Sequence, residues 1–463
     1  MKSWASIIAV TGMLAAGCQI LAGVRTDAEL TPAAGGAGGS GGAATTTTDT
    51  GGAGGGGGCQ SKDDCPGAVC LAGACVTPVC EPQSDPEDIF LPTDLDDHLF
   101  APDTVLLAVD GGRAHVVIAD QDQPRILART WATDALDPVS AVVEVDLSMF
   151  GSEFTSLRIV GNELRAYGRS AEQVGELPFP ISLAVLQPPG VFKPYPALPT
   201  ECLAPSFPSR IFFDHAGGKV QYLLTCLGLN GEATLVNGAE DAPGQVIASG
   251  MSGDLGLEAR RYLTRPDGAQ LAFFESDGMG TQYRSGVTAA DLQQLRELQL
   301  TDDPQHETLL LDVTPTLSGE ALAILAASVS ASTFEAALWG GLVTDIADLQ
   351  SVPPPGLAEL DLSNLTDVGE ASRLLAQPSG HFLAVQLASG AGIRLFWFDA
   401  GLSQPLTTDA VVFDLPAGDE GQILNVHLWP GDMKGIAQQM LVTWVELRAG
   451  KMSLRGRSMA CSY

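Results

Sequence analysis

The sequence predicts an all-β fold, and three observations predict it. From about residue 103 the chain repeats one unit: a short apolar or alternating run, a turn rich in Gly, Asp or Pro, and a second run. The turns fall near 111, 161, 217, 268, 319, 380 and 433, a spacing of roughly 54 residues that marks an internal repeat. Only one stretch beyond residue 103, Thr288 to Leu300, breaks the pattern with leucines at helical spacing. A four-stranded unit buries little by itself, and closing such units into a ring leaves no exposed blade face. The expectation is a seven-bladed β-propeller over 103–463. A β-sandwich array is the rival, but its short strands would not recur at so constant a period.

Ahead of the propeller the reading gives four segments: a signal peptide over 1–17, an anchor and flexible tether over 18–58, a small disulfide-rich module over 59–80 and a linker over 81–102. Met1 and Lys2 make a short positive start, and Trp4 to Ala16 is an apolar run. It is shorter than the roughly 20 residues a membrane span needs, and it ends in small residues, as a cleaved secretory signal does. The sequence Leu14-Ala15-Ala16-Gly17-Cys18 resembles the end of a bacterial lipoprotein signal, with Ala15 where such signals usually carry Leu. The resemblance implies that Cys18 takes a lipid and becomes the mature N-terminus. With Gln19 rather than Asp following, it implies an outer-membrane destination. The alternative is an ordinary secreted protein with Cys18 spare.

From Leu21 to Gly58 the chain is mostly Gly, Ala and Thr. Such a stretch cannot bury enough apolar surface to offset the cost of ordering its backbone. About 40 residues of Gly-rich coil span roughly 35 Å, enough to hold a folded head off a membrane. A glycine-rich tether after a lipidated cysteine resembles surface lipoproteins of the myxobacterial type.

The chain has nine cysteines. If Cys18 goes to lipid, eight remain in an exported chain, which is disulfide arithmetic. Cys59, Cys65, Cys70 and Cys75 lie in a piece too small to have a core, so crosslinks must hold it. Their spacing allows three connectivities. Cys59–Cys70 with Cys65–Cys75 is favoured, because adjacent pairing would leave two independent loops. Zinc is disfavoured by the missing C-x-x-C and by a scarcity of histidine, six in all. Cys80 and Cys461 flank the propeller, and joining them would bring its ends together as a ring requires. Cys202–Cys226 completes the set.

Within the repeats, Arg265-Pro266-Asp267-Gly268, followed by an apolar strand ending in Phe274 and then Glu275-Ser276, resembles the repeat of TolB-type periplasmic propellers. Gln377-Pro378-Ser379-Gly380 and the strand after it form a weaker copy. The resemblance implies a fold and carries over neither partner nor activity. Thr288 to Leu300 is read as a short surface helix or an outer blade strand.

No catalytic constellation emerges. G-x-S-x-G, a Walker loop and H-E-x-x-H are absent. Asp94, Asp96, Asp97, Asp120 and Asp122 lack a calcium-loop spacing and read as solvated turn acids. His98, His115, His215, His306, His381 and His427 are scattered and read as structural or surface residues. Trp339, Trp397, Trp429 and Trp444 read as blade core. No cofactor and no metal is predicted. A net charge of −31 excludes nucleic acid, whose phosphates need a basic surface. The reading is a non-enzymatic envelope lipoprotein, membrane-held through Cys18, that presents its propeller to an envelope or extracellular protein. The alternatives are a propeller hydrolase using paired carboxylates, with or without calcium, and a purely structural envelope component.

Overall fold

The computed structural model describes residue 65, most of 69–88, and the strands and many connections between 105 and 462. Cys18, the tether, Cys59, Cys202 and the aspartates at 94–97, 120 and 122 lie outside the described residues.

The chain is a β-propeller. A small hairpin comes first, β1 (Val69–Leu71) with β2 (Ala74–Val76), followed by an arm of two short strands, β3 (Val79–Pro82) and β4 (Glu87–Asp88). Blade 1 contains β5 (Val105–Asp110), β6 (Arg113–Ala119), β7 (Arg125–Ala132) and β8 (Val143–Asp146). Blade 2 contains β9 (Phe154–Val160), β10 (Glu163–Arg169), β11 (Ile181–Gln187) and β12 (Gly190–Pro194). Blade 3 contains β13 (Phe207–Ala216), β14 (Lys219–Leu227), β15 (Glu232–Ala239) and β16 (Ala242–Met251). Blade 4 contains β17 (Glu258–Thr264), β18 (Gln270–Glu275), β19 (Thr281–Gly286) and β20 (Arg296–Leu298). Blade 5 contains β21 (His306–Pro315), β22 (Leu322–Ser330), β23 (Ala336–Val343) and β24 (Leu357–Glu359). Blade 6 contains β25 (Arg373–Gln377), β26 (Gly380–Gln386), β27 (Gly392–Phe398) and β28 (Ala410–Asp414). Blade 7 contains β29 (Gln422–Lys434), β30 (Ala437–Arg448) and β31 (Lys451–Ser462).

Blades 1 to 6 are antiparallel meanders in chain order. Blade 7 takes its fourth strand from the arm, in the order β29-β30-β31-β3. The register pairs Cys80 with Cys461, and a disulfide joins them. The arm is pinned further along its length. Gln83 N donates to Ser458 O at 2.8 Å. Arg457 Nε reaches Ser84 O at 2.8 Å, and Arg455 Nη2 reaches Pro86 O at 3.1 Å. Arg455 also pairs with the buried Glu446 at 3.2 Å and sits over the Phe413 ring. Residues 79–88 therefore belong to the ring and not to a module and linker meeting at 80. Pro78 directly precedes β3 and Pro82 ends it, which hides its strand pattern.

Three of the turns read from sequence hold glycines at positive φ: Gly268 at 85°, Gly319 at 70° and Gly380 at 133°. Only glycine enters that region without strain. Two expectations change. The turn placed at Gly431 to Gly435 gives way to strand over 431–434, because β29 runs on to Lys434 with an irregular register between Pro430 and Met433. Thr288 to Leu300 is neither all helix nor all strand. One 3-10 turn, Asp291–Gln293, leads into β20, and the carbonyls of Leu292 and Gln293 are held by the buried guanidinium of Arg284.

The core lies between blades. One cluster joins Leu309, Leu311 and Leu325 of blade 5 to Leu374, Leu383 and Phe396 of blade 6. Another joins Phe382 and Trp397 of blade 6 to Val426, Met440 and Trp444 of blade 7, and includes Cys80 and Cys461. Trp397 and Trp444 are fully buried, as expected of blade core. Burying faces this way drives closure, since each blade leaves an apolar face until its neighbour covers it.

Candidate functional site

The first strand of each blade lies innermost. In five of them, β9, β13, β17, β21 and β29, the ladder to the second strand carries one extra residue: Thr155, Ser209, Arg260, Leu311 and Leu424. A bulge at one place in a repeated strand re-aims the residue after it. In blades 4 and 5 those residues are Arg261 and Asp312.

Arg261 Nε donates to Asp312 Oδ1 at 2.9 Å, and the other oxygen of Asp312 accepts Leu374 N–H at 2.8 Å. One buried carboxylate thus joins the inner strands of blades 4, 5 and 6. Arg373 directly precedes Leu374, and its Nη1 meets Ser372 O at 2.8 Å. His427 of β29 lies within electrostatic reach of the same charges. Burial pushes its pKa down to about 3, helped by the charges of Arg373 and Arg261 and opposed by Asp312. The ring stacks on Trp429, with centroids 5.7 Å apart. Trp429 is in turn fixed by its Nε1–H donating to Thr443 at 3.1 Å. His427 Nε2 has no hydrogen-bond partner among the described residues.

Among the described residues the remaining histidines do not converge. His115 pairs with Thr130 across blade 1 at 2.9 Å. His381 is buried, with Nδ1 3.4 Å from Asp399 O, and burial lowers its pKa. His306 lies beside Asp303 at 3.1 Å. The side chain of His215 and the whole of His98 lie outside the described residues.

A cleft of about 390 Å³ opens under the connection from β20 to β21. Glu297, Asp302, Asp303, His306 and Glu307 line it. Asp303 is occupied by Gln305 N at 2.9 Å, and Glu297 by Gln299 at 3.0 Å. These are loop-forming contacts. Among the described residues no group of three His, Cys, Asp or Glu is arranged to hold a metal ion.

Of the disulfide reading, Cys65–Cys75 and Cys80–Cys461 are present. Cys226 is disulfide-bonded, and its expected partner Cys202 lies outside the described residues. The side chains of the Cys59–Cys70 pair lie outside them as well. Sequence reasoning picked out His427 only as a scattered histidine and missed Arg261, Asp312 and Arg373. A signal existed, because each is a charged residue within a first strand: Arg261 fourth in β17, Asp312 seventh in β21 after three leucines, and Arg373 first in β25. Arg261 and Asp312 are 51 residues apart, close to the repeat.

No protein-family profile and no curated protein matches the chain. Solved structures of similar shape include the β-propeller domain of the Trilobed protease from Pyrococcus furiosus. It has 9% identity and a TM-score of 0.38, covering 76% of this chain and 97% of that one. A PL25 ulvan lyase has 8% identity and a TM-score of 0.42, covering 77% and 93%. A prolyl endopeptidase has 8% identity and a TM-score of 0.42, covering 77% of this chain and half of that one. At these values the likeness carries no activity to this chain.

Proposed function

We propose that the chain is an outer-membrane lipoprotein, held by a lipid on Cys18, whose propeller binds another envelope or extracellular protein and catalyses no reaction. The observation that supports this best is where the tether meets the ring. The N-terminal chain joins at β3, the outermost strand of blade 7. An attachment at the outermost strand of a blade, far from the inner strands, suits presentation of the ring to a partner. Disulfides in the module and at the closure agree with an exported protein. The central carboxylate, Asp312, spends both oxygens on structure, where a carboxylate-pair hydrolase needs two acids flanking the scissile bond.

The test uses the full chain in its own cells. Cys18→Ser should move the protein from the membrane to the soluble fraction, and retention in the membrane would overturn the anchor. Crosslinking the wild-type chain in envelope extract should capture one stoichiometric protein. Capture of none would overturn the partner reading.

A further inference from the structure

We infer that the cleft under the connection from β20 to β21 binds a neutral saccharide through hydrogen bonds. The inference goes beyond the partner reading and stands without it. At about 390 Å³ the cleft falls in the size range of small-molecule sites, and its lining narrows the class of ligand. Glu297, Asp302, Asp303 and Glu307 repel an anion. Leu298 and Pro304 are the apolar side chains among the described lining residues, too few to hold an apolar ligand. Among the described residues no three carboxylate or imidazole groups are arranged around one ion, so a compact cation finds no cage.

What remains is a set of separate donors and acceptors. Asp303 and Glu297 are engaged within the loop by Gln305 and Gln299. Asp302 and Gln282 make no side-chain hydrogen bond among the described residues. Glu307 Oε2 is buried and has no partner there, which is costly until something donates to it. Thr281 and Thr308 are buried, and each hydroxyl accepts a backbone N–H, from Leu310 at 2.9 Å and from Leu300 at 3.1 Å. Each therefore keeps an O–H to give. A sugar hydroxyl both donates and accepts, so neighbouring hydroxyls of one ring can answer a carboxylate, an amide and a threonine in turn. A cation would answer the carboxylates alone. The described lining residues include no aromatic ring, so hydrogen bonds carry the affinity.

Saturation-transfer NMR on the full chain, with maltose, cellobiose and N,N′-diacetylchitobiose as probes and spermidine as the cationic control, should show saturable binding of at least one disaccharide. Gln282→Ala and Asp302→Ala should each weaken it about fivefold, the loss of one hydrogen bond. Neither side chain is bonded to the rest of the fold among the described residues, so both variants should melt as the wild type does. Glu320→Ala, in the hairpin at the other end of β21, should bind as the wild type. Absence of saturable binding by all three disaccharides, undiminished binding in both cleft variants, or binding of spermidine alone would each overturn the site. Crosslinked capture of a protein partner is independent of every one of these outcomes.

Discussion

Asp312 accepts the Nε–H of Arg261 at 2.9 Å from the preceding blade, while its other oxygen accepts the backbone N–H of Leu374 in the following one. The contact spans three blades. Asp312→Ala should cost about 3 kcal/mol, because it removes a charge-assisted bond to Arg261 and leaves the buried Leu374 N–H without its acceptor. Asp312→Asn keeps an acceptor and should cost less. Urea unfolding of both variants checks the order.

The pH dependence of stability follows from His427. Its folded pKa is depressed to about 3, against about 6.5 in the unfolded chain. The unfolded state therefore binds the proton first. The stability tied to this group is complete above about pH 6.5 and declines as pH falls towards 3, by at most about 1.4 kcal/mol per pH unit. Chemical denaturation at stepped pH should show a shallower slope in His427→Gln. His381, also depressed by burial, acts in the same direction.

The closure disulfide spans 381 residues. On the chain-entropy account such a loop contributes up to about 6 kcal/mol. Cys461→Ser should lower the unfolding midpoint markedly, and limited proteolysis should cut first within 79–88. A midpoint unchanged from wild type would mean that β3 and the arginine straps alone close the ring.

Two hairpin glycines should respond differently to alanine. At Gly380 a Cβ would collide with the Phe398 carbonyl oxygen, at a φ of 133°. Gly380→Ala should cost about 3 kcal/mol. At Gly268 the φ is 85° but nothing lies within 4 Å, so only left-handed strain of about 1 kcal/mol applies. Thermal melts of the pair separate collision from strain.

These glycines also explain what was legible in the sequence. The hairpin between the first two strands of each blade needs local turn chemistry, and turn chemistry is written in a few adjacent residues. The outer strands were less visible, since β20 and β24 are three residues each and show no period. The arm was hidden because β3 finds its partner at the far end of the chain. The channel cluster was hidden for the same reason. Arg261, Asp312, Leu374 and His427 become neighbours only when four blades close around an axis, and nothing local marks them as a set.

The Cys80–Cys461 bond also sets the path of mechanical force. A pull on the chain ahead of Cys80 reaches that residue and crosses covalently to Cys461. From there it enters β31, a 12-residue strand paired along its length with β30. Blades 1 to 6 lie outside this route. A head tugged by its N-terminal segment is loaded first at its final blade, where β3 and β4 also pair with β31, so the ring resists shear while the bond is intact and begins to peel from β3 once it is reduced.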